Sequence, residues 1–252
     1  MTRRAERYIE RDNLSHAWGE ALRQVLLNGE AAPLIVSVTG FVDGVPAEDR
    51  AIRSALDATL TSTGSQTCDT VANTIFPLSL WNPAEPAKLL FDRYESILPK
   101  LKIASRENRR GLYFERLTSG GPKGAENQLA FIIAERKRRP SGRRSALQLA
   151  VFDPARDHSK AALLGFPCLQ HVTVAPTADG LCINGFYATQ YVVERAYGNY
   201  LGICRLGRFI AHEFGIPLVR MTCFTGISLK DGFSRKGLAP VLRAIDASIG
   251  TS

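Results

Sequence analysis

Long apolar runs are absent from this 252-residue chain. No stretch approaches the ~18 consecutive apolar residues that mark a membrane-spanning helix, so no membrane partner is expected. Paired cysteines are lacking too. The five that occur (Cys68, Cys168, Cys182, Cys204 and Cys223) are odd in number, scattered and never spaced C-x-x-C. Neither a disulfide framework nor a zinc site is indicated. The opening residues Met1–Arg7 are charged and carry no apolar signal core, which together with the unpaired cysteines points to a reduced, cytoplasmic setting. Low-complexity tails, internal repeats and linker-like stretches are missing as well. A single domain over residues 1–252 is the simplest organisation.

What is present can build a sizeable core. Hydrophobic residues make up 45% of the chain and charged residues 22%, the balance of a folded protein. Lysine and arginine total 32 against 24 acidic residues, a net charge of +8. Anionic partners are therefore favoured, whether nucleotide, nucleic acid or lipid headgroup.

Helical spacing of Ile9, Leu14, Trp18, Leu22, Val25 and Leu26 predicts a helix over 5–29, stopped by Gly29. Further helices are expected over 48–61, 86–102, 127–138 and 237–248, and a long one from Asn199 to Phe214. A Ser/Thr/Gly-rich loop is expected over 61–67. Alternation predicts strands over 33–38, 145–152, 168–174, 181–187 and 217–224, with turns at Asp43-Gly44 and Asp179-Gly180. This mixture reads as one α+β domain.

Three features bear on function. Cys168 follows Pro167 at the entrance of a predicted strand, a rim position where side chains face clefts. A nearby arginine would lower the pKa of its thiol and raise the thiolate fraction. Free cysteines are more often small buried hydrophobes. Cys182 and Cys204 read as core on that ground, while Cys68 and Cys223 are undecided.

The second feature is Arg136–Arg144, with six basic residues in nine. Such a cluster is ordinarily a solvated turn or a nucleic-acid patch. Arg143 and Arg144 differ because they open a predicted strand, where fixed backbone suits bidentate phosphate binding. No aromatic residues interleave, which argues against nucleic acid. The third feature is Asn199, after Gly198 at the head of the long helix. It reads as an N-cap, or as an amide that donates to the 4-oxo group of uracil and accepts from ring N3–H.

In order, these segments read Asn127-Gln-Leu, Pro140-Ser-Gly-Arg-Arg144, Phe152-Asp-Pro154 and Gly165-Phe-Pro-Cys168-Leu, followed by a helix led by Asn199. The series resembles the thymidylate synthase superfamily over residues 127–211, about a third of the chain. The resemblance implies a thymidylate synthase-like fold: a twisted mixed β-sheet flanked by helices, with the sheet at a homodimer interface. It implies a transferase that methylates or hydroxymethylates carbon 5 of a pyrimidine nucleoside monophosphate. Cys168 would be the nucleophile adding to ring carbon 6, and 5,10-methylenetetrahydrofolate the one-carbon donor. Arg143 and Arg144 would bind phosphate across the dimer interface. Asn199 would read the pyrimidine edge, and Thr189 and Gln170 would complete the substrate-binding set.

Several family positions differ. Ala188 stands where the family has a phosphate-binding arginine, Tyr191 where it has an aspartate, and Leu169 where bacterial members usually have histidine. No His-x-Tyr pair occurs near 221–228, no N-terminal Arg-Thr-Gly loop is present, and no glutamate aligns with the general base. The tail 247–252 does not match the segment that closes over folate. The alternative is a catalytically degenerate nucleotide-binding protein of the same fold.

Overall fold

The computed structural model describes residues 7–119, 126–158, 160 and 167–250. Its strands are β1 (Tyr8–Arg11), β2 (Glu30–Ala31), β3 (Leu34–Val38), β4 (Phe41–Val42), β5 (Val45–Pro46), β6 (Gln148–Ala150), β7 (Leu169–Pro176), β8 (Leu181–Tyr191) and β9 (Leu218–Leu229). Its helices are α1 (Leu14–Asn28), α2 (Arg50–Ser62), α3 (Cys68–Ile75), α4 (Ala87–Ala104), α5 (Tyr113–Thr118), α6 (Gln128–Arg138), α7 (Pro154–Asp157), α8 (Tyr197–Phe214) and α9 (Ala239–Ile249).

The sheet runs β1-β3-β9-β8-β7-β6, with β2 also paired to β9. β8 and β9 are parallel, as are β1 and β3, and the remaining pairs are antiparallel. The protein is therefore α+β with a mixed sheet flanked by helices. β4 and β5 form a separate hairpin whose turn uses Asp43 (φ 51°) and Gly44 (φ 73°), the positive-φ pair that two-residue hairpins favour.

Alternation along β8 decides which face meets the core. Leu181, Ile183 and Tyr187 are buried, whereas Phe186 and Ala188 on the opposite face are exposed. The buried face packs on α1 and α8, which supply Trp18, Leu22, Ile203, Leu206 and Ile210. Two glycines let α3 lie against α8. A Cβ at Gly198 would stand 2.5 Å from Val71 Cβ, and one at Gly202 would stand 2.9 Å from the Ala72 carbonyl oxygen.

Among the described residues, α8 is the helix that packs extensively on β8 and β9, from the buried side, and the other face is more open. There Phe186 and Phe224 stack with ring centroids 5.1 Å apart and planes 9° from parallel. Cys182 is half-buried on this face rather than in the core, unlike the fully buried Cys204. Cys68 and Cys223 are buried as well.

Several expected boundaries move. The helix predicted over 5–29 begins only at Leu14, capped by the Asn13 side chain, while Tyr8–Arg11 form β1. Ile9 is buried because β1 pairs with β3, not because it lies on a helical face. Ala5 and Glu6 lie outside the described residues. The strand predicted over 145–152 shrinks to β6, and Arg144–Ala146 form a 3-10 turn. Arg143 and Arg144 therefore do not open a strand. Strands β8 and β9 run four and five residues beyond their predicted ends at Tyr187 and Phe224.

The Asn127-Gln segment has a structural role. Asn127 caps α6 by accepting from the Ala130 amide at 2.9 Å. The Gln128 amide accepts from Ala150 N at 2.8 Å and donates to Ala150 O and Arg116 O, each at 2.9 Å, fastening α6 to β6. Asp153 likewise caps α7 by accepting from Ala155 N.

Candidate functional site

Beyond its expected end, β8 carries Thr189, Gln190 and Tyr191 to the rim of a cavity of about 860 Å³. Cys168, immediately before β7, lies on its wall. The Cys168 carbonyl accepts from Ala188 N at 3.1 Å, which holds the two strand segments together at this point. The Gln170 amide turns back and donates to the carbonyls of Pro167 at 2.8 Å and Cys168 at 3.3 Å. Gln170, expected to bind substrate, instead fixes the backbone around the cysteine and does not line the cavity. Gly165 and Phe166, the start of the cysteine-bearing motif, lie outside the described residues.

Cys168 is half-buried, not sealed. Burial pushes its thiol above the ordinary value, while a hydrogen bond with Thr189 and the charge of Arg195 pull the other way. Tyr113, at the start of α5, shares this wall. The Leu169 and Cys168 amides reach its phenol oxygen, and burial and the neighbouring thiol raise its pKa.

A π-helical turn, Val192–Ala196, joins β8 to α8. π-turns widen a helix locally and recur at functional sites. Asp231 Oδ2 caps this one, accepting from Val193 N at 2.9 Å and Glu194 N at 2.7 Å, and Trp18 Nε1 donates to the Val192 carbonyl at 2.8 Å. Burial raises the Asp231 pKa, with its two backbone donors opposing. The turn directs Glu194 and Arg195 to the cavity. Both are tied to the loop before α3: Ser65 Oγ donates to Glu194 Oε1 at 3.1 Å, and Arg195 Nη1 donates to Gln66 Oε1 at 2.6 Å.

Because the π-turn precedes it, Asn199 is the third residue of α8 and not its N-cap. Its side chain is 4% exposed, lines the cavity, and has no hydrogen-bond partner among the described residues. Buried amides are ordinarily hydrogen-bonded, so this one is suited to a ligand.

Arg143 and Arg144 lie elsewhere. Both are exposed; Arg143 borders a small crevice with Glu135 and Arg136, and Arg144 Nη1 approaches Pro176 O at 3.5 Å. Neither lines the Cys168 cavity of its own chain. The cations that do are Arg195 and the exposed Arg106 and Arg110, from the 3-10 segment Glu107–Arg110 and its N-cap. Of the residues singled out in the sequence, the cavity brings together Cys168, Thr189 and Asn199 and leaves out Gln170, Arg143 and Arg144; Tyr113, Glu194, Arg195, Arg106 and Arg110 line it as well. Among the described residues no group of side chains is arranged to hold a metal ion.

Chemically, the site offers a thiol, a neighbouring hydroxyl, an unused carboxamide and several guanidinium groups within one concave volume. Its size lies toward the upper end of the range for ligand sites, about 300–1,000 Å³. No family model matches the chain, and no curated protein matches it.

Proposed function

We propose that this chain is a thymidylate synthase-like transferase that adds Cys168 to carbon 6 of a pyrimidine nucleoside monophosphate and delivers a methyl or hydroxymethyl group to carbon 5. The observation that carries the reading is the convergence of Cys168, Thr189 and a buried, unpartnered Asn199 on one cavity, from positions far apart in sequence. In this reading the Asn199 carboxamide pairs with the pyrimidine edge, donating to the 4-oxo group and accepting from N3–H. The Thr189 hydroxyl and the Arg195 guanidinium stand beside the sulfur, where they favour its thiolate.

The residues present suit 5,10-methylenetetrahydrofolate. The cavity has room for a second reactant, and Arg106 and Arg110 offer exposed cations to its carboxylates. When bound, that donor supplies an electrophilic one-carbon unit to the nucleophilic carbon 5. The more open sheet face, with its stacked Phe186 and Phe224, is the surface we assign to homodimer formation. Arg143 and Arg144, which do not line the cavity of their own chain, then act on the phosphate in the opposite subunit's cavity.

The test is tritium release from carbon 5 of labelled deoxyuridylate, uridylate and cytidylate with methylenetetrahydrofolate. Release is expected from at least one nucleotide and should vanish in Cys168→Ala while surviving Cys204→Ala. No release from any of them by folded protein contradicts the transferase. A second reading, a nucleotide binder without turnover, draws on Ala188, which leaves the position of a phosphate arginine uncharged. Calorimetric binding unchanged by Cys168→Ala, beside zero turnover, would establish it.

A further inference from the structure

Once carbon 5 of the sulfur adduct has bonded a new substituent, its original proton must depart before the ring regains its double bond, so the cavity needs a proton acceptor. We infer that Glu194 is that catalytic base, an inference that rests on the reading of Cys168 as nucleophile. Among the described side chains lining the cavity, Glu194 is the one carboxylate. Tyr113 is a poor acceptor because its phenol stays protonated.

The structure presents Glu194 for this work. The π-turn carries it to the cavity, the Asp231 carboxylate holds its backbone amide, and Ser65 fixes Oε1. Oε2 has no hydrogen-bond partner among the described residues and is left for the substrate. The side chain is half-buried, so it sits at the cavity wall rather than in open solvent. The adjacent Arg195 balances the charge and is itself held by Gln66.

The step can be isolated from one-carbon transfer. In D₂O without any donor, the Cys168 thiolate bonds to carbon 6 and the double-bond pair moves to carbon 5, which takes a deuteron from solvent. Glu194 Oε2 then removes the original proton, the pair re-forms the C5–C6 double bond, and the C6–S bond breaks to return the thiolate. The net change is exchange of the carbon 5 hydrogen for deuterium, with no oxidation or reduction.

The experiment follows loss of the H5 proton resonance of deoxyuridylate in D₂O with wild-type protein, Glu194→Gln and Cys168→Ala. Glu194→Gln keeps the shape of the side chain, so nucleotide affinity by calorimetry should stay within about threefold. Its exchange rate should fall by about 100-fold or more, the usual contribution of a positioned base. In Glu194→Ala, added formate should restore part of the exchange.

Wild-type exchange that is lost in Cys168→Ala but kept in Glu194→Gln overturns the inference and leaves the nucleophile standing. Loss of nucleotide affinity alongside exchange in Glu194→Gln also overturns it, because the carboxylate would then hold substrate or fold. A wild type that exchanges nothing overturns the inference together with the reading beneath it.

Discussion

At the scale of single residues, Cys168 is set apart by what surrounds its sulfur. Burial holds the thiol above its ordinary value, and the Thr189 hydroxyl and Arg195 oppose that shift without cancelling it. The thiolate is the reactive form, so the free protein should be alkylated slowly at neutral pH. Below the thiol's folded pKa, iodoacetamide labelling of Cys168 should climb about tenfold per pH unit as the thiolate fraction grows. Thr189→Ala, which removes a hydrogen bond favouring the thiolate, should slow labelling at fixed pH. Peptide mass spectrometry across pH 7 to about 9 reads both outcomes; a plateau already at neutral pH would contradict them. Cys168, Thr189 and Asn199 could be singled out in the sequence by residue type and order, and all three line the cavity. Glu194, Arg195 and Tyr113 could not be so singled out. They reach the cavity through a π-turn and the start of a short helix, neither of which leaves a periodic signal.

At the scale of elements, the wall that holds the site depends on a few buried polar ties. Arg116 on α5 and Asp157 on α7 are 2% and 5% exposed, and pair through Nη2–Oδ1 at 2.6 Å and Nη1–Oδ2 at 3.2 Å. Asp157 Oδ2 also accepts from Asp153 N at 2.7 Å. Removing the carboxylate takes the carboxylate partner from a buried guanidinium, so Asp157→Ala should cost about 3–5 kcal/mol. Urea denaturation measures this; a loss under about 1 kcal/mol would mean water reaches Arg116. The long amphipathic helices and the turns at Asp43-Gly44 and Asp179-Gly180 could be read from spacing and turn chemistry. The first segment could not, because Ile9 fits both a helical repeat and a β1 pairing partner found only in β3. Helix α3 was hidden within a loop-like composition. Its Thr67 cap is local, but its burial depends on the glycines of α8, more than a hundred residues away.

At the scale of the whole molecule, one sheet face is packed by helices and the other presents Phe186 to solvent, stacked on a half-buried Phe224. In the proposed dimer that face meets a second copy of the chain, and Arg143 and Arg144 reach the opposite subunit's cavity. Phe186→Asp should therefore shift the sedimentation coefficient from dimer to monomer and lower turnover with it. A wild-type protein that sediments as a monomer at micromolar concentration would refute the assignment. Mixing two inactive variants, Cys168→Ala and Arg143→Ala/Arg144→Ala, should restore activity through mixed dimers that hold one complete site. The net charge of +8 agrees with an anionic substrate, but composition alone did not reveal which arginines face the cavity. That is decided by where the 3-10 and π-turns lie.

The central claim is a covalent bond between the Cys168 sulfur and carbon 6 of a pyrimidine nucleotide. It is tested most directly with 5-fluorodeoxyuridylate and methylenetetrahydrofolate, because fluorine on carbon 5 cannot leave as a proton and the adduct is trapped. Digestion and mass spectrometry should find the nucleotide mass on the peptide bearing Cys168 and on no other cysteine. An unmodified Cys168 peptide from protein shown to bind the nucleotide would contradict the account.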